Sequence, residues 1–181
     1  MKTKLISLLL AAALMLGLLS GCGNSAAPET TATVPETTAA PETTAPQAEL
    51  PDLETLYNQG MEVLSQMGDE APILFPETDV NYLDNFYQGL AAVELKQLYA
   101  GVAPVTNAPF EIVLVEVANE ADVQTVLDIF QARGDRESGD PTYPENAEAW
   151  MNECRITSRG NYVFLAVLMG SAEIPSQFIL D

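Results

Sequence analysis

Phe110-Glu111-Ile112-Val113-Leu114-Val115-Glu116-Val117, followed by Ala118-Asn119-Glu120-Ala121-Asp122-Val123-Gln124-Thr125-Val126-Leu127-Asp128-Ile129-Phe130, is the stretch that decides the fold. The first eight residues alternate little and are rich in Ile, Val and Leu, the pattern of a central strand buried on both faces. Asn119 then reads as a helix cap with Asp122 in the capping-box position. Val123, Val126, Leu127 and Phe130 make one apolar stripe that ends at Arg133-Gly134. A strand followed directly by an amphipathic helix calls for a mixed α and β domain.

Working outward, Arg155 to Ser158 and Tyr162 to Met169 read as a hairpin turning at Arg159-Gly160 or Gly160-Asn161, its second strand apolar on both faces and therefore central. Pro144 to Met151 predicts a short helix, and Ser171 to Ile179 a last one interrupted at Pro175. On the N-terminal side, Asp52 caps a helix carrying Leu53, Leu56, Tyr57, Met61 and Leu64, with Gly68 as its stop. Pro72 to Pro76 reads as an apolar link. Tyr82 to Tyr99 reads as two short helices broken near Gly89, the second carrying Val93, Leu95 and Leu98. Val102 to Thr106 is expected as an edge strand, the one place a sheet tolerates Pro104. The predicted fold class is α+β, a small mainly antiparallel sheet of three or four strands with helices packed on one face, in two layers. Ile112, Leu114, Val126, Phe130, Val163 and Leu165 are the expected core.

Three segments divide the 181 residues. Residues 1–21 have the parts of a secretory leader: Lys2 and Lys4, an apolar run from Leu5 to Leu18, and small residues before a cut. A run of about 14 residues suits a cleaved leader better than a spanning helix, which needs about 20. Leu19-Ser20-Gly21-Cys22 reads as a lipobox, which makes Cys22 the lipidated first residue of the mature chain; the alternative is an ordinary secretory leader that happens to contain cysteine. Two acyl chains, at about 0.8 kcal/mol per buried methylene, hold a protein to a bilayer where one chain lets go. Residues 22–50 form a tether in which Pro28-Glu29-Thr30-Thr31 recurs as Pro35-Glu36-Thr37-Thr38 and Pro41-Glu42-Thr43-Thr44. With almost no large apolar side chain it cannot offset its ordering entropy, and its proline favours an extended stalk of up to roughly 75 Å. Residues 51–181 are one globular domain of ordinary size.

Charge restricts the partners. The whole chain carries a formal −19; without Lys2 and Lys4, five basic side chains face 26 acidic ones, a formal −21. Such a surface repels nucleic acid and anionic lipid and suits a cationic protein, wall or small-molecule partner, or else serves solubility alone. With Cys22 acylated, Cys154 is the only remaining thiol, so no intrachain disulfide forms, and its place at the head of an apolar strand suits a small buried hydrophobe. The chain has no histidine, the usual general base of Ser and Cys hydrolases and the usual imidazole ligand of zinc. Gly-rich phosphate loops, G-x-S-x-G and paired cysteine motifs are absent.

Two weak site candidates remain. Asp135, Glu137 and Asp140 lie in an acidic run resembling a calcium loop, but its glycine stands at the fifth position instead of the sixth, and Asn146 replaces the closing Glu. That spacing excludes an EF-hand and leaves a looser site or a solvated loop. Tyr143, Tyr162 and Trp150 are candidates to line a ligand groove beside Arg159 and Asn161, against core and rim packing as the alternative. No cofactor is implied, and a monomer is expected.

From Tyr82 to Ile179 the chain resembles the small bacterial lipoproteins of the domain of unknown function 4358 family. The resemblance runs through Phe86-Tyr87-Gln88-Gly89, the strand and helix from Glu111 to Arg133, Tyr143-Pro144-Glu145 and Arg159-Gly160-Asn161-Tyr162-Val163, with Gln88 an insertion relative to the shared turn. It implies a lipoprotein with a compact domain and brings no catalytic or binding residues. The expected function is a membrane-anchored, extracytoplasmic, noncatalytic binding or accessory module. The alternative is a cell-envelope hydrolase using carboxylate chemistry, which needs two acids across a cleft with separated pKa values.

Overall fold

A computed structural model of the chain describes residues 50–104, 108–170 and 173–181, which form one compact unit. The leader and residues 22–49 of the expected tether, Cys22 included, lie outside the described residues, as do parts of the expected Val102–Thr106 strand and Ser171–Ile179 helix, whereas Leu50, the tether's last residue, packs on the α1 side of the core. The elements in order are α1 (Leu53–Ser65), β1 (Phe75–Glu77), α2 (Val80–Leu83), β2 (Leu95–Val102), β3 (Phe110–Val117), α3 (Val123–Ser138), α4 (Pro144–Glu153), β4 (Arg155–Arg159) and β5 (Tyr162–Leu168). The fold is α+β, with one antiparallel sheet ordered β1-β2-β3-β5-β4. Among the described residues the strands number five, not three or four.

β3 and β5 occupy inner positions, and nearly every residue of both is buried. A strand buried on both faces needs cover on both, and here the expectation of helices on one face is corrected. On one side Val113, Val115, Val163 and Leu165 pack with Val126, Phe130 and Trp150 from α3 and α4. On the other, Ile112, Leu114, Phe164 and Ala166 pack with Leu53, Leu56 and Tyr57 of α1 and with Phe178 of the C-terminal segment. The result is three layers in place of two. All six expected core residues are fully buried, but they divide between the two sides of the sheet.

Asp52 caps α1 as expected, its carboxylate accepting from the Thr55 amide at 2.9 Å and the Thr55 hydroxyl at 2.7 Å. These bonds, the side-chain one foremost, hold the Asp52 carboxyl below its ordinary value. Gln97 joins the start of α1 to the sheet, accepting from the Leu53 amide at 2.9 Å and donating to Glu116 at 2.8 Å. The second half of the expected helical region is instead β2. Register shifts between Leu95 and Gln97, so Lys96 is an extra residue and Leu95 and Leu98 face the same cluster despite being three apart. That bulge imitates helical spacing. β1 and β4 are the edge strands; β1 makes Pro72–Pro76 more than a link and places Pro76 at an edge, while of the expected Val102–Thr106 strand Val102 ends β2 and the described Ala103 and Pro104 lie in no strand.

α3 passes the expected stop at Arg133-Gly134 and runs to Ser138. Two i,i+4 pairs, Gln131 with Asp135 and Arg133 with Glu137, support the added turn. A short 3-10 turn over Glu120–Asp122 precedes the helix, and neither Asn119 nor Asp122 caps through its side chain. The β4–β5 hairpin turns over Gly160-Asn161, with Arg159 paired to Tyr162 and Gly160 at a φ of 56°.

Two helical glycines predict opposite responses to alanine. A methyl on Gly60 would clash with the tip of the Phe178 ring at Cζ, whereas one on Gly134 meets nothing within 4 Å. Gly60→Ala is expected to destabilise by about 1–3 kcal/mol through overpacking. Gly134→Ala should stabilise by roughly 0.5–1 kcal/mol through helix propensity and a less flexible unfolded chain. Urea denaturation reads both, and a Gly60→Ala protein as stable as wild type would contradict the packing of α1 on the C-terminal segment.

Candidate functional site

Glu111 is the second residue of β3, and its side chain points into the layer shared with α3 and α4 because Val113 and Val115 on the same face do so. A carboxylate there must be paired and hydrogen-bonded. Tyr87 supplies its hydroxyl at 2.6 Å to one oxygen, and Arg133 of α3 supplies a guanidinium nitrogen at 2.9 Å to the other. Arg133 also donates to Glu137 one turn on, and Arg136 donates to Glu137 at 3.2 Å and to the Phe86 carbonyl at 2.6 Å. The guanidinium carbon lies 5.1 Å from the ring centre of Trp150, 5.5 Å from Phe86 and 5.9 Å from Tyr87, so the cation is held among aromatic faces.

This environment sets the charges. Burial works against the Arg133 cation, but Glu111, then Tyr87 and Glu137, outweigh it and hold the guanidinium above its ordinary value. Burial, then the Glu111 charge, pushes the Tyr87 hydroxyl well above its ordinary value, so it stays a donor. Arg133 Nε is buried without a partner. Beside the cluster Tyr82, Phe86, Val102, Ala103 and Phe110 enclose a cavity of about 20 Å³, floored by Glu111 and Arg133. That volume has room for one water and not for an organic substrate.

The residues singled out from sequence are dispersed. Arg159 and Tyr162 are strand partners, and Tyr162 packs against the side of the sheet covered by α1. Asn161 sits between them, its carbonyl accepting from the Val117 amide at 2.9 Å and its amide donating to the Val117 carbonyl at 3.4 Å, which ties the hairpin to β3. Tyr143 opens α4 on the opposite side of the sheet, exposed. Trp150 is buried against Arg133. No common groove joins Tyr143 and Trp150 to the hairpin residues.

Asp135 and Glu137 stand two apart on a helix instead of in a loop, and each is engaged locally: Asp135 by Gln131 at 2.7 Å, Glu137 by the two arginines. Asp140 accepts from the Thr142 amide at 2.8 Å, and contacts with Thr142, the side-chain one first, hold its carboxyl below the ordinary value. Among the described residues no group of His, Cys, Asp or Glu converges to hold a metal ion. The sequence reading missed the Glu111–Arg133 pair, although two signals mark it. Glu111 interrupts an apolar strand, and Arg133 continues the stripe of Val126 and Phe130 at i+7 and i+3.

Cys154 lies half-buried at the margin of the same cluster, and burial, then the Glu111 charge, pushes its thiol up to about 11. It is a packing residue with little thiolate at neutral pH. Compared with protein-family models, with curated proteins and with solved structures, the chain has no match in any of the three.

Alkylation by iodoacetamide checks this assignment. At pH 8 Cys154 should react about a hundredfold more slowly in the folded protein than in urea, given reactivity that follows thiolate content. The rate should keep rising toward pH 11; a plateau near pH 8 would contradict the burial of this thiol.

Proposed function

We propose that the chain is a membrane-anchored, extracytoplasmic lipoprotein whose C-terminal domain is a noncatalytic binding or accessory module. The observation that carries this reading is Leu19-Ser20-Gly21-Cys22 behind Lys2, Lys4 and an apolar run too short to span a bilayer. A diacylglyceryl group on the Cys22 sulfur holds the chain to the outer leaflet, and the Thr/Pro/Glu-rich stretch spaces the domain from the headgroups. The resemblance to the domain of unknown function 4358 lipoproteins points the same way. Within the domain, the interior charges of Glu111, Arg133 and Glu137 are engaged with one another, and the Cys154 thiol is kept protonated. That supports recognition through surfaces instead of chemistry at a reactive group. A formal charge of −21 on the mature chain favours cationic partners over nucleic acid.

Replacing Cys22 with alanine tests the anchor. In a lipoprotein-processing host, Cys22→Ala should abolish labelling by radioactive palmitate and leave the precursor uncleaved or the domain released from membranes. A Cys22→Ala protein that fractionates with membranes at the mature mass would overturn the reading.

A further inference from the structure

α3 and α4 lie over β5 and β4 and reach β3 on their side of the sheet, but do not cover its β1 end. Phe75 of β1 is paired with Val102 of β2, so the two side chains share that face, and Phe75 is 55% exposed. Ile73, two residues earlier, is 70% exposed, while Leu74 between them is buried against α1 on the opposite side. Val102 in turn lines the same small cavity as Tyr82 and Phe86, whose rings meet edge to face at 5.5 Å, and Tyr82 is 42% exposed. Phe75, Val102, Tyr82 and Phe86 are thus linked pair by pair, and the exposed Ile73 stands two residues before Phe75. Scattered exposed hydrophobes are ordinary, but clustered large ones mark contact surfaces.

The surroundings say what such a surface accepts. Between residues 50 and 95 the chain has nine acidic side chains and no basic one. Glu77 and Asp79 follow directly on Phe75, and both carboxylates accept local backbone N–H bonds that fix them in place. The nearest cations are already engaged: Lys96, which lines a shallow pocket with Thr78 and Val80, with Glu116; Arg133 with Glu111 and Glu137; and Arg136 with Glu137 and the Phe86 carbonyl. A second copy of the chain would bring the same acids together, and an anionic leaflet would be repelled. The cavity beneath Tyr82 is too small for an organic ligand, so the occupant lies across the surface. Pro76 leaves the β1 edge short of an N–H, which disfavours addition of a strand and leaves recognition to side chains.

We propose that the Ile73–Phe75–Tyr82 surface docks a basic segment of another protein, one that places apolar side chains on the patch and lysines or arginines against Glu77, Asp79 and their acidic neighbours. This deepens the binding-module reading and rests on it. Failure of the anchor is seen in the Cys22 fractionation, and failure of the docking surface only in the measurement that follows.

The lipidated full chain in phosphatidylcholine nanodiscs is titrated into fluorescent peptides, with anisotropy as the readout. The probes are a short peptide of alternating lysine and leucine, the same peptide with leucine replaced by serine, and the same with lysine replaced by glutamate. The lysine–leucine peptide should bind more tightly than either relative, and more weakly as salt rises. Ile73→Ser with Phe75→Ser should weaken it by about tenfold or more. Met151→Ser, at an exposed methionine on α4, should leave it unchanged. Equal binding by wild type and the double variant would overturn the proposal, as would equal binding of the lysine–leucine and lysine–serine peptides. So would a double variant whose one defect is lost association with phosphatidylglycerol vesicles, which would make the patch a lipid surface. Dimers in sedimentation that the double variant dissolves would assign the patch to a second copy and equally overturn it.

Discussion

A carboxylate inside an apolar layer is the constraint from which this domain is organised. Glu111 enters the interior from the middle strand, 5% exposed, where burying a charge without a partner is strongly unfavourable. Arg133 reaches it from α3 and Tyr87 from the turn after α2, so one side chain fixes a helix and a loop against the sheet. Arg133 then gathers Trp150 of α4 and Phe86 around its guanidinium. Such a cluster is not a source of large net stability, because desolvating both ions costs nearly what their attraction returns. What it does in this structure is join elements: the observed placement of α3 is the one that brings Arg133 to Glu111.

The second constraint is the two-sided burial of β3 and β5. It demands cover on both faces, which α1 and the C-terminal segment supply on one side and α3 and α4 on the other. Gly60 and Gly101 let this cover approach closely, since Phe178 and Tyr57 occupy the space a methyl would take at each. Cover runs out at the β1 end, where the short α2 replaces a full helix and Ile73, Phe75 and Tyr82 reach solvent. The exposed patch is thus a consequence of the same layering that builds the core, and the acidity of the segment carrying it gives it an electrostatic preference.

Much of this was legible in the residues. Phe110–Val117 and Tyr162–Leu168 announce inner strands by their apolar runs, and Asp52, Pro144 and Gly160 mark a cap, a helix start and a turn by local chemistry alone. Elements failed where a long-range contact overrides a local pattern. Leu95 and Leu98 look helical because a bulge at Lys96 puts them on one face of a strand. Gly134 looks like a stop, but side-chain pairs spanning it carry α3 on for another turn. The candidate groove at Tyr143 and the hairpin fails for a related reason: nearness in a list of aromatics says nothing about which side of a sheet each faces. The Glu111–Arg133 pair was written in the sequence as a charge in an apolar strand and another in an apolar stripe, but only the packing of α3 on β3 makes them partners.

A double-mutant cycle on Glu111 and Arg133, followed by urea denaturation, tests the organising role of this pair most directly. Glu111→Gln and Arg133→Met should each cost about 3–5 kcal/mol, since each leaves a buried partner uncompensated, and the double variant should cost clearly less than the two losses added. Additive losses, or single variants within about 0.5 kcal/mol of wild type, the range of an ordinary surface change, would contradict the account.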